Sequence, residues 1–155
     1  MNCFNQDRMP PPAPNDGVAP PLGMETMHVR WAGSEVSAVR VNGHAVVIGL
    51  SAAHAVSRGE PGSFSGVSEG HLLGVECEMP SGQVLHADAH CFGTVASGRV
   101  AVGGAAMQAL AYPSAIAGPV ELEWAFANGA LLVVRAAGLV LRPTASTRFI
   151  ESMAC

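Results

Sequence analysis

The sequence predicts an all-β fold, an antiparallel barrel or sandwich built from β-hairpins, with one or two short helical turns. Two independent signals agree in three places. Turn-forming residues stand at Asn42-Gly43, Pro80-Ser81-Gly82 and Asn128-Gly129, and apolar side chains alternate with polar ones on either side of each, as in half-buried strands.

Residues 1–23 carry Pro10-Pro11-Pro12, Pro14 and Pro20-Pro21 with almost no apolar periodicity. Such a segment buries too little surface to offset the entropy of ordering it. It is expected to be a disordered proline-rich arm, leaving residues 24–155 as a single β domain.

The first hairpin spans residues 36–41 and 44–50 about Asn42-Gly43. A two-residue type I′ turn there sets Val39 opposite Val46 and Ser37 opposite Ile48. Residues 51–70 form a Gly/Ser-rich connection, with one helical turn expected near residues 52–56.

The second hairpin spans residues 71–79 and 83–95 about Pro80-Ser81-Gly82. A two-residue loop would oppose Glu78 to Leu85. A three-residue loop instead pairs Cys77 with Leu85, Val75 with Ala87 and Leu73 with Ala89, and the apolar pattern selects it. Residues 104–111 are Ala-rich and read as a short helix ended before Pro113, although Gly103-Gly104 at its start opposes that reading.

The third hairpin joins residues 121–127 to 130–136 through Asn128-Gly129. A type I′ register faces Trp124 with Val133 and Phe126 with Leu131, an aromatic–aliphatic ladder suited to the core. Leu139 and Leu141 continue into a further strand that Pro143 ends. Hairpins one and three share a frame, with Glu35-Val36 and Glu121-Leu122 leading to Asn-Gly at the same offset. Internal duplication and convergence on one hairpin recipe explain this equally well.

Composition narrows the function classes. Eight basic residues, all Arg, stand against twelve acidic ones, for a net charge of −4. The arginines are scattered singly, which disfavours nucleic acid as a ligand, since that grip needs clustered cations. Only 13% of residues are charged and 49% are hydrophobic, a surface suited to a protein partner or self-association. The four cysteines form no C-x-x-C pair and no secretory signal precedes the domain, so the expected compartment is the cytoplasm. Two stretches near membrane-span length, 41–57 and 100–120, are broken by Gly, and the second also by Gln108 and Pro113, so no membrane span is expected.

The best candidate for chemistry is His86-x-Asp88-x-His90. Alternate residues of a strand share a face, and imidazole with carboxylate suits a divalent transition metal. Glu76, opposite His86 in the chosen register, would add a ligand or orient the ring. The same alternation has a plainer meaning, in which Leu85, Ala87, Ala89 and Cys91 are buried and the three polar residues are the solvated reverse; half-buried strands favour it. His54 could be paired on paper with Ser51, Ser57, Ser63 or Ser65, but Phe64 stands where a nucleophile elbow needs Ser. No catalytic residue is assigned. Cys77 and Cys91 read as core thiols and Cys155 as a free terminal thiol.

The closing stretch, Val120-Glu121-Leu122-Glu123-Trp124-Ala125-Phe126-Ala127-Asn128-Gly129 through Arg148-Phe149-Ile150-Glu151-Ser152-Met153-Ala154-Cys155, resembles the tail of small uncharacterised bacterial β domains. Some of these are similar to immunity proteins that neutralise polymorphic toxins. The resemblance covers about a quarter of the chain. It implies a binding role and carries no catalytic residue.

The expectation is therefore a small bacterial interaction protein that binds another macromolecule through exposed strand edges, in a toxin-neutralising or inhibitory role, by way of an acidic, edge-bearing face including Glu76, Glu78 and Asp88. One alternative is a metal-binding barrel or metal-dependent enzyme using His86, His90 and either Asp88 or Glu76. The other is a barrel holding a small apolar ligand under Trp124 and Phe126.

Overall fold

The computed structural model describes residues 26–58 and 67–152. The proline-rich arm, Ser63, Phe64, Ser65 and Cys155 lie outside them. The described chain forms nine strands and no helix: β1 (Thr26–Asn42), β2 (Ala45–Arg58), β3 (Ser68–Met79), β4 (Gln83–Ala87), β5 (Gly93–Val102), β6 (Ala105–Met107), β7 (Ala109–Tyr112), β8 (Ser114–Phe126) and β9 (Leu131–Glu151). Every pairing is antiparallel. The order β5-β8-β9-β3-β2-β1 returns to β5 through Glu35↔Thr94 and Val36↔Gly93, so the sheet closes into a barrel-like ring. Among the described residues no helix is long and apolar enough to cross a membrane.

The expected helical turns are strands. In residues 52–56, Ala53 and Ala55 are fully buried while Ala52 and His54 are only half-buried. That two-residue period overrides the helix preference of alanine, because both neighbouring strands pair with the segment,. Residues 104–111 form a turn followed by β6 and β7. Gly103 and Gly104 take φ of +56° and +87°, the two left-handed positions of a type I′ turn between Val102 and Ala105,.

Hairpin one forms with its turn one residue later than expected. Asn42 faces Ala45, and the loop is Gly43-His44. Gly43 alone of the two has positive φ, +62°, which is the type II′ pattern,. Val39 therefore faces Ile48 and Val41 faces Val46. The even shift leaves each side chain on its expected face.

Hairpin three forms with a three-residue loop, Ala127-Asn128-Gly129. Phe126 N donates to Ala130 O at 2.8 Å and Gly129 N to Phe126 O at 2.9 Å. Gly129, at φ +88°, takes the left-handed position that such a loop requires,. Trp124 consequently faces Leu132 rather than Val133, and Leu122 faces Val134. All four are fully buried. The frame shared with hairpin one does not extend to the turns, which differ in length.

Hairpin two does not form. Glu78 faces Val140 on β9, and five residues later Gln83 faces Arg135, five residues earlier on the same strand. From Val75 through Val84, β3 and β4 thus run along β9 in one register. Pro80-Ser81-Gly82 is a kink within a strand, with Ser81 at φ +50°, Ala137 N bonded to Pro80 O and Gly82 N to His44 O. Pro143 does not end β9 either. It faces Val75 where the register breaks, and beyond it Thr144 N bonds Thr147 Oγ1, bulging the strand opposite Gly74. A bulge is where a sheet tolerates proline.

Inside the ring, Trp31 and Trp124 are completely buried with ring centroids 5.3 Å apart, tilted by 38°. Ile48, Leu50, Met79, Leu122, Leu132, Leu139 and Leu141 fill the space around them. Gly98 is required here. A Cβ on it would lie 2.6 Å from Trp124 Cδ1 and 2.8 Å from Trp31 Cβ. Cys77 is a core thiol, and burial pushes its pKa up to about 12. The outer face carries cross-strand ion pairs, Arg99–Glu123 and Arg135–Glu121 at 3.0 Å each, of the kind that contributes about 0–1 kcal/mol.

Candidate functional site

The β1–β5 contact is short, and the two strands diverge on both sides of it. On one side the chain fills the gap itself. β6 pairs with β5, Trp31 N donates to Gln108 O at 3.2 Å, and β7 pairs with residues 27–30 of β1. Residues 105–112 are in effect one strand that transfers from β5 to β1.

On the other side the gap is open. Residues 38–42 of β1 pair only with β2, and β4 pairs only with β9, among the described residues. Residues 88–92 leave β1 to wrap the turn of hairpin three. Asp88 N bonds Leu131 O at 3.1 Å, Asn128 Nδ2 bonds His90 O at 2.8 Å, and Ala127 N bonds Thr94 O at 2.8 Å. A cleft of about 410 Å³ remains, with Val39 and Val41 on one wall and Val84, Ala87, Cys91 and Phe92 on the other.

These side chains share faces with core residues. Val39 and Val41 oppose buried Ile48 and Val46, and Val84 and Ala87 oppose buried Val134 and Leu132, so all four project toward the interior. Among the described residues no strand covers them, and the slot is open: Val41 is 68% exposed, as is Phe92 beside it at 53%. Leu85, at the bulge between Val84 and His86, is also exposed. The cleft is an apolar slot bordered by two strand edges that have no partner among the described residues.

The residues expected to hold a metal do not converge. β4 ends at Ala87, so Asp88 and His90 lie in the following turn and the alternation that would align them with His86 is lost. Asp88 Oδ1 meets His86 Nε2 at 3.1 Å and its Oδ2 accepts from Leu131 N at 2.8 Å. The Leu131 amide, and secondarily His86, hold its carboxyl below the usual carboxylate range. The His90 ring turns edge-on to Phe92, with centroids 5.7 Å apart. Glu76 lies away from His86, opposite Arg142 in the β3–β9 register. Among the described residues no group of three or more His, Cys, Asp or Glu is placed to hold a metal.

Glu76, Glu78 and Asp88, the residues of the expected acidic face, are engaged within the chain. β3 lies between β2 and β9, so Glu76 and Glu78 are not on an edge. Arg142 meets Glu76 at 3.1 Å and Glu78 at 2.6 Å, and Arg40 reaches Glu76 at 3.5 Å. Asp88 is engaged as above. Beside Trp124, where an apolar ligand was expected, the Trp31 ring packs at a centroid distance of 5.3 Å.

The Cys91 thiol donates to Asp88 O and Leu131 O at 3.3 and 3.4 Å, and burial raises its pKa. His54 lies in β2, not in a loop. Its ring meets Ala32 O and the Glu69 carboxylate, while Ser51 Oγ donates to Glu35 O.

The cleft residues Val41, Val84 and Phe92 were not singled out by sequence reasoning. The available signal was apolar residues at the ends of alternating runs, Val41 before Asn42-Gly43 and Phe92 before Gly93. Compared with known protein families, curated proteins and solved structures, the chain matches none.

Proposed function

We propose that the chain is a binding protein that accepts an extended segment of another polypeptide in the open cleft between β1 and β4. The observation that carries this reading is the pair of strand edges, unpaired among the described residues, that flank inward-pointing apolar side chains. An added strand gains main-chain hydrogen bonds from such edges and specificity from alternate side chains entering the slot. The other side of the same junction supports it, since there a strand of the chain itself occupies the equivalent position. Residues 83–87, Gln-Val-Leu-His-Ala, carry none of the Lys, Pro or acidic residues that block edge pairing,. Where the captured segment belongs to a toxic enzyme, its sequestration is the inhibitory role.

The test uses a displayed library of random twelve-residue peptides, selected on the full chain. Enriched peptides should alternate apolar and polar residues, protect amides of residues 37–42 and 83–87 from hydrogen exchange, and lose binding to Val41→Asp and Phe92→Asp. Both substitutions are at exposed positions and should leave stability within about 0.5 kcal/mol. Peptides that bind the two variants as well as the parent, or protect amides elsewhere, would exclude the cleft.

A further inference from the structure

A second site lies on the outer wall of the ring. In β1, Val29 and Trp31 are buried inside, so His28 and Arg30 project outward, about 7 Å apart by the strand rise of roughly 3.3 Å per residue. They line one cavity of about 190 Å³, floored by Val56 of β2 and Ala109 of β7. That volume is below the range of about 300–1,000 Å³ typical of drug-sized ligands.

The two polar heads are unused. Arg40, Arg99, Arg135 and Arg142 each hold a glutamate across the sheet. Arg30 and His28 have no side-chain hydrogen bond or ion pair among the described residues. The acid on the adjacent strand, Glu69, lies opposite Val56 and is held by His54. Two cation-forming groups thus border a small cavity in a chain whose net charge is −4. Overall charge would repel an anion, so any attraction here is local.

We propose that the His28–Arg30 cavity binds a small tetrahedral oxyanion, a phosphate ion or the phosphoryl group of a small metabolite. The planar guanidinium suits two phosphate oxygens at once and the imidazole supplies a third donor. Val56 and Ala109 close the floor and limit the ligand to one such group. This site is independent of the cleft.

The experiment titrates inorganic phosphate into the full chain and follows the His28 ring resonances by NMR, with chloride at matched ionic strength as control. Saturable shifts are expected with a Kd on the order of 1 mM. Arg30→Gln should weaken binding about tenfold, the loss of one charge-assisted contact. Arg148→Gln, which removes another arginine without an ion pair among the described residues, should change nothing. Equal shifts in chloride, no saturation by about 20 mM, or equal losses in the two variants would overturn the proposal. Glycerol phosphate binding more tightly than phosphate assigns the site to a phosphorylated metabolite; equal affinity assigns it to the free ion.

Discussion

The two sides of the β1–β5 junction are the same problem solved twice with different results. Two strands diverge on each side and expose their edges. On one side residues 105–112 bridge the gap, burying Leu110 and accepting the Trp31 indole N–H on Met107 O at 3.1 Å. On the other, the chain spends residues 88–92 on wrapping hairpin three, and the apolar wall stays open. Two strands that separate leave a slot, and what occupies it depends on whether a segment is free to do so. An apolar open slot calls for a partner in a way that a polar one would not.

The largest effect that tests this contrast is in the filled gap. Leu110→Ala removes a buried side chain and should cost about 2–5 kcal/mol, read as a fall in the denaturation midpoint with unchanged m. A cost below about 1 kcal/mol would mean that β7 is a loose cover and the two gaps are alike.

The second effect is smaller and depends on pH. The Asp88 carboxyl has its pKa lowered in the folded chain by the Leu131 amide and by His86. A lowered folded pKa means the unfolded state takes up the proton first on acidification. The contribution of Asp88 is therefore present above the unfolded pKa of about 3.9 and is lost as pH falls through the folded value. Stability measured from about pH 5 to pH 3 should fall more steeply in the parent than in Asp88→Asn, and parallel curves would remove Asp88 as the anchor that holds the open side apart.

The smallest effect is in the open cleft. Val41→Ala should change stability by no more than about 0.5 kcal/mol, since the side chain is 68% exposed,. In the presence of a selected peptide the same substitution should weaken binding several-fold. A large stability loss would mean that the cleft is already closed in solution.

Much of the fold was legible in the sequence. The β class, the antiparallel pairing and the strands of hairpins one and three follow from alternation, and Trp124 and Phe126 were placed on the core side. Register was less secure because Asn-Gly fits more than one turn. Asn42-Gly43 became part of a two-residue type II′ loop, and Asn128-Gly129 the end of a three-residue one. The reversal at Pro80-Ser81-Gly82 was misread for a deeper reason. Those residues specify local backbone angles, and the same angles serve a kink whose flanking strands both find β9. That mistake carried Glu76 toward His86 and extended β4 through His90. The cleft as a site was not legible beyond the apolar ends of two alternating runs, because β1 and β4 face each other only through closure of the ring, which no local pattern encodes.

β9 carries a further consequence. One strand serves as the partner of β3, β4 and β8, and it is the last described strand of the chain. During synthesis those three strands must wait for it, exposing their apolar faces until it leaves the ribosome. Closing such distant pairings is slow, and the waiting intermediates are prone to aggregate. The structural spine of the barrel is thus also the point at which a nascent chain is most exposed to chaperones and proteases.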